Sequence, residues 1–237
     1  MTWQEISLRE WSGAQHTGGQ TLTTKPRTKP RILERRLAAQ SRIFRIEALE
    51  LEFANGARRT YERVLGGRDS VMIVPMPDPR TLLLVREYAA GSDDYQLGFP
   101  KGVVDPGEDM LSAAGRECRE EVGFAARELR ILHRVNIVPG YIQHGTQIVL
   151  ARGLYPDPAP GDEPEAVEVV RWPLADADAL LARADFTEAR SIAALFLVQR
   201  FLAGEESPPP PNRVDAGDEL GSNTRPARIG PDADGIE

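Results

Sequence analysis

The chain has 237 residues, 41% hydrophobic and 27% charged, which suits one sizeable core with ends to spare in an ordinary globular protein. Its net charge of −7 argues against a general nucleic-acid binder, because phosphate contact needs a basic face; a polyanionic substrate must then meet local positive charge or metal. The single cysteine, Cys118, excludes an internal disulfide and a cysteine-based zinc cluster within one chain.

Residues 1–37 read as a mostly flexible polar arm. It opens "MTWQEISLREWSG", with no basic stretch followed by an apolar run, so no signal peptide is expected and a cytoplasmic protein follows. Near its end, "KPRTKPRILERR" carries six basic residues and one acid, read as a solvated stretch. The folded domain is expected over 38–204. Residues 41–53 alternate apolar and polar as a strand does, Asn55-Gly56 supplies a turn, and 58–64 runs back, making a hairpin. Residues 70–88 read as a second hairpin around Pro77-Asp78-Pro79.

A helix is expected from near Asp109, with Leu111, Ala114, Cys118 and Val122 on its core face. Further strands are expected in 128–138, 146–155 and 166–174. Two helices follow in 174–184 and 188–204, the second with Ile192, Leu195, Phe196, Gln199 and Leu202 on one side and Gly204 as its stop. The longest strongly apolar run, 192–198, is too short to span a bilayer, so no membrane partner is expected. Residues 205–237 hold no aromatic residue and few large apolar ones, and are expected to be a disordered Pro-rich acidic tail. Strands on both sides of one helix, then helices at the end, describe an α+β or sandwich-like domain.

The helix near Asp109 poses a problem of charge. Glu117, Glu120 and Glu121 fall within about one turn, with only Arg116 and Arg119 beside them, and like charges at that spacing oppose a helix unless something neutralises them. The stretch also carries a fixed pattern: Gly102, Glu108, Arg116-Glu117, Glu120-Glu121 and Gly123, with apolar Cys118 and Phe124. Seven fixed identities at roughly 7% each match by chance with a frequency on the order of 10⁻⁸ per start position. A merely solvated Glu/Arg face does not explain that.

The pattern resembles the Nudix box, GX5EX7REUXEEXGU with U apolar, and meets it at every fixed position. The segments 51–64, 71–91, 95–108, 161–174 and 186–204 further resemble the ADP compounds hydrolase and ADP-ribose pyrophosphatase branch of the Nudix hydrolases. The resemblance implies an α/β/α sandwich with a mixed sheet and an N-terminal antiparallel hairpin extension. It also implies metal-dependent hydrolysis of a diphosphate linked to a nucleoside, with ADP-ribose, NADH and short diadenosine polyphosphates as substrates and AMP released. Cys118 is then a small core residue and no nucleophile.

Clustered carboxylates suit a hard divalent cation such as Mg²⁺, with Mn²⁺ as the alternative, so the missing charge is metal, two or more ions with substrate. Glu117 and Glu121 are the expected ligands, joined by Glu120; the resemblance adds a backbone carbonyl of Lys101 or Gly102, and Glu165 as an assistant. Arg116 is expected to hold a box glutamate and Glu108 to orient the loop or helix. The resemblance places the catalytic base at Glu163, with Glu120 as the alternative, and substrate contacts at Glu62, Arg63, Arg86, Gly140 and Tyr141. Glu62 and Arg63 also read as a cross-strand surface pair, and His144 as a loop residue rather than a base. A homodimer is implied. Two other readings stay open: a sensor that binds ADP-ribose or NAD without turnover, and an RNA-end or NAD-cap processing enzyme using the basic stretch at 25–36.

Overall fold

The computed structural model describes residues 27–66, 68–161 and 163–204; the tail expected at 205–237 and residues 1–26 of the expected arm lie outside them. The chain divides into two compact units.

The first unit comprises the chain up to Leu65 together with Gly140–Ile142. Its sheet has the order β1-β2-β3-β9, from β1 (Arg31–Gln40), β2 (Arg45–Glu52), β3 (Arg58–Leu65) and the short β9 (Ile142–Gln143). The β2–β3 hairpin forms where the alternation predicts it, with Arg45 opposite Leu65 and Glu52 opposite Arg58. Its turn is closed by Gly56 N–H on the Phe53 carbonyl (2.8 Å) and by Ala57 N–H on Asn55 Oδ1 (3.1 Å). Strand β1 begins at Arg31, earlier than the boundary near residue 38, and turns part of the basic stretch into the sheet edge. It pairs antiparallel with β2, and Arg31 donates to Glu52 at 2.7 Å. Nearly all of its side chains are exposed on both faces, so no apolar alternation marks it and the backbone ladder holds it.

The second unit holds two sheets, β7-β4-β10-β8 and β11-β5-β6. Their strands are β4 (Ser70–Met76), β5 (Thr81–Ala89), β6 (Asp94–Gly98), β7 (Lys101–Val103), β8 (Phe124–Val135), β10 (Thr146–Pro156) and β11 (Glu168–Pro173). The helices are α1 (Met110–Glu121), α2 (Ala177–Leu181) and α3 (Ala189–Leu202). The first sheet is mixed: β10 runs parallel to β4 and antiparallel to β8.

The second expected hairpin does not form. β4 and β5 follow one another closely, yet they belong to different sheets, and an isolated bridge joins Asp78 of the turn between them to Thr81. The cause is burial on both faces. Every residue of β4 is buried, with Met72, Val74 and Met76 packed among Leu180, Ala194, Leu195 and Val198, and Val71 and Ile73 among Ala113, Ala114, Cys118 and Val122. A strand apolar on both sides takes a central place, with α1 over one core and α2 and α3 over the other.

The helices also refine the expected faces. In α1, Ala113 is buried and Leu111 exposed. In α3 the buried side is Ser191, Ala194, Leu195 and Val198, leaving Phe196 55% exposed. The helix expected over 174–184 is a 3₁₀ turn, Leu174–Asp176, followed by the five-residue α2. Among the described residues no helix is long and apolar enough to cross a membrane.

Candidate active site

Helix α1 is built to present its acids. Asp109 caps its start, Oδ1 accepting from Leu111 N–H (3.0 Å) and Ser112 N–H (3.1 Å), which satisfies two otherwise unpaired donors. At the other end Gly123 adopts φ +77, a conformation costly to a residue with a Cβ, and the chain turns into β8. Between these stops, Glu117 and Glu121 lie one turn apart, each 8% exposed, with Glu120 half-buried beside them.

Three local devices hold the carboxylates. Arg116 Nη1 donates to Glu117 (2.8 Å) and Glu120 (3.0 Å), while Nε and Nη2 grip Glu108 at 3.1 Å each and Nη2 also reaches the Val103 carbonyl (3.0 Å). Glu108 in turn accepts from Asp105 N–H at 3.0 Å, tying the loop before α1 to the helix. Gly102 on β7 leaves room for Glu117: a Cβ there would lie 1.8 Å from Glu117 Oε1. Glu121 faces the Lys101 backbone N–H (3.3 Å to Oε2), and the Lys101 ammonium pairs with Glu87.

Burial pushes the Glu121 carboxyl up to about 8; Lys101 opposes the shift, and Glu117 and Glu163 add to it. Burial likewise pushes the Cys118 thiol up to about 12, so it is a protonated core residue, as expected.

The loop before β11 brings a second set of acids to the same place. Glu163 and Glu165 line a cavity of ≈ 280 Å³ together with Glu117, Glu120 and Glu121, and a larger adjoining space of ≈ 580 Å³ adds Lys101, Gly102 and Arg116. As placed, no three His, Cys, Asp or Glu side chains among the described residues close on one point tightly enough to hold an ion. The Arg116 guanidinium occupies part of the charge-neutralising role, bonding Glu117 and Glu120. The donor set still fits a hard divalent cation. It is all oxygen, it includes the Glu121 carboxyl, whose burial outweighs the nearby Lys101 charge, and the missing Cβ of Gly102 lets Glu117 lie against the β7 backbone.

The comparisons with known proteins decide the family. Residues 66–196 match the NUDIX domain, and residues 30–63 match the NudE-type Nudix hydrolase N-terminal domain. The chain belongs to the Nudix family.

It is 49% identical over 183 residues to the ADP compounds hydrolase NudE of Escherichia coli (strain K12), covering 77% of this chain and 98% of that one. It is 28% identical over 144 residues to the ADP-ribose pyrophosphatase of Mycobacterium tuberculosis (strain ATCC 25618 / H37Rv), covering 60% of this chain and 70% of that one. A crystal structure of an ADP compounds hydrolase matches with a TM-score of 0.73 and 48% identity, over 78% of this chain and all of that one. The fold is therefore of the Nudix type, α+β with a mixed sheet and an N-terminal antiparallel extension, as the resemblance implied.

Around the Nudix box, the structure groups Glu117, Glu120, Glu121, Glu163, Glu165, Lys101 and Gly102. Arg86 lines a neighbouring cavity that also includes Glu163 and Glu165; its guanidinium is held by Asp185 (2.5 Å) and Glu168 (3.1 Å). Glu62, Arg63, Gly140 and Tyr141 belong to the first unit. There Arg63 pairs across the strands with Glu47 (2.8 Å), Glu62 is exposed opposite Ala48, and the Tyr141 carbonyl accepts from Val64 N–H at 2.8 Å. His144 Nε2 lies 3.0 Å from Ser70 Oγ, within a polar cluster that includes Thr146.

Sequence reasoning missed Asp185, Glu87, Tyr88 and Tyr95. The two-residue alternation Arg86–Tyr88 carried part of the signal, since it places both on one face of β5.

Proposed function

We propose that this Nudix enzyme is a pyrophosphohydrolase that cleaves the diphosphate of ADP-linked compounds such as ADP-ribose, NADH and short diadenosine polyphosphates, releasing AMP. The observation that most supports this reading is the gathering of five glutamates from two distant segments, α1 and the loop before β11, around one cavity. The relatives named above act on ADP compounds and ADP-ribose according to their names.

Nudix hydrolases generally use divalent metal ions. Glu117 and Glu121 would hold Mg²⁺ or Mn²⁺, with Glu120, Glu165 and a carbonyl of Lys101 or Gly102 completing the set and two or more ions engaged with substrate. When bound, the metal offsets charge on the diphosphate and acidifies a water. Arg116 fixes the direction of Glu117 and Glu120. Glu163 takes the proton from the attacking water, which meets phosphorus in line, so that ADP-ribose gives AMP and ribose 5-phosphate. Glu163 is preferred to Glu120 as base because Arg116 already engages Glu120, whereas no hydrogen bond of Glu163 is seen among the described residues. Arg86, Glu62, Arg63, Gly140 and Tyr141 are the proposed substrate contacts. A cytoplasmic homodimer is part of the same reading, a two-fold dimer being the commonest oligomer.

The test of the base is a pair of variants assayed with ADP-ribose and Mg²⁺. Glu163→Gln is expected to lower kcat by roughly 10²–10⁴-fold and Glu120→Gln by less. The reverse order moves the base to Glu120.

A further inference from the structure

Tyr88 and Tyr95 form an aromatic pair that the mechanism above does not use. They face each other directly across β5 and β6, with ring centroids 5.8 Å apart and planes at 68°. Both are well exposed, 51% and 44%, which is unusual for two adjacent large aromatic residues on one sheet face. They are not loose. Tyr88 Oη donates to Asp93 (2.7 Å) and Tyr95 Oη donates to Glu165 (2.6 Å), so both rings are anchored at their far ends and little rotamer freedom is lost when something lies on them.

Their position gives the pair its meaning. With Arg86 they line a cavity of ≈ 270 Å³, and residues 163–167 of the acidic loop wall both this cavity and the one that holds the box glutamates. The Tyr95–Glu165 bond therefore ties the aromatic pair to the loop that carries Glu163. A molecule whose diphosphate sits at the glutamates has one flank at this loop. What an exposed, anchored π-surface recognises is a flat heterocycle, and it does so without regard to the ring's hydrogen-bonding edge.

We propose that Tyr88 and Tyr95 form a stacking subsite for the heterocycle in the second half of the substrate, so that a dinucleotide gains a contact that ADP-ribose lacks. The inference rests on the diphosphate hydrolysis proposed above. ADP-ribose carries a flat nitrogen heterocycle in one half only, whereas NADH and diadenosine compounds carry one in both. The subsite thus names dinucleotides as the class from which the enzyme draws extra binding.

The experiment compares wild type, Tyr88→Leu and Tyr88→Phe, with kcat/KM for NADH and for ADP-ribose measured in Mg²⁺. The NADH-to-ADP-ribose ratio is expected to fall about tenfold in Tyr88→Leu and by only about twofold in Tyr88→Phe, which keeps the ring and loses only its bond to Asp93. An unchanged ratio in Tyr88→Leu overturns the proposal, as does a loss shared equally by the two substrates. A fluorescence titration of NADH without divalent metal gives a second reading: its Kd is expected to weaken about tenfold in Tyr88→Leu and by only about twofold in Tyr88→Phe, and equal values for the three proteins again overturn the proposal. That titration decides the matter even if wild type hydrolyses neither compound, a result that would remove the proposed function instead.

Discussion

Gly102 and Glu117 show how close the box is packed. A methyl group at residue 102 would collide with the Glu117 carboxylate, and the mobile end of that side chain gives way more readily than the β7 backbone. Gly102→Ala is therefore expected to keep the fold while displacing Glu117, lowering kcat by roughly tenfold or more and raising the Mg²⁺ concentration for half-maximal activity. Steady-state kinetics over a Mg²⁺ series, with a melting curve as control, measures both. Glu121 also links folding to pH. Its carboxyl sits at about 8 against the ordinary 4.5, so the metal-free folded state holds a proton that the unfolded chain has released. Stability from this group is present below about pH 4.5 and is lost as pH rises towards 8. Denaturation in EDTA at pH 5, 6.5 and 8 is expected to show Glu121→Gln gaining on wild type as pH rises. A gap that does not widen means that Glu121 is not protonated in the metal-free protein. The spacing of the three glutamates was legible in the sequence. The burial of two of them was not, because it comes from β7, a three-residue strand set against α1 by its pairing with the distant β4.

At the scale of elements, α1 depends on its first turn. Asp109→Ala removes the acceptor for two backbone N–H groups and is expected to cost about 1 kcal/mol in urea denaturation, with kcat/KM little changed because Asp109 touches no box carboxylate. The start of α1 near Asp109 was legible because the Pro106-Gly107 turn just before it is a local signal. The separation of β4 from β5 was not. A short Pro-Asp-Pro connection between two apolar runs looks like a hairpin, and only the partners that bury both faces of β4 send it to another sheet. Strand β1 was hidden for the opposite reason: its side chains are exposed on both faces, so its charge pattern looked like solvated chain.

At the scale of the whole molecule, the sequence carried the family through seven fixed positions and the fold through the family. The chain-wide matches agree with that reading. The proposed substrate contacts were less legible, since Arg86 is engaged by Asp185 and Glu168 from segments distant in sequence, and the tyrosine pair arises from the β5–β6 register. The proposed homodimer predicts sedimentation at about twice the 26.1 kDa of one chain; a species at the single-chain mass would remove it. If the Nudix box glutamates run the proposed metal-dependent hydrolysis of ADP-linked diphosphates, AMP is released from ADP-ribose, NADH or diadenosine triphosphate by wild type in Mg²⁺, and the rate falls by roughly 10²-fold or more in Glu121→Gln. No AMP from any of the three compounds, or a variant as active as wild type, would contradict it.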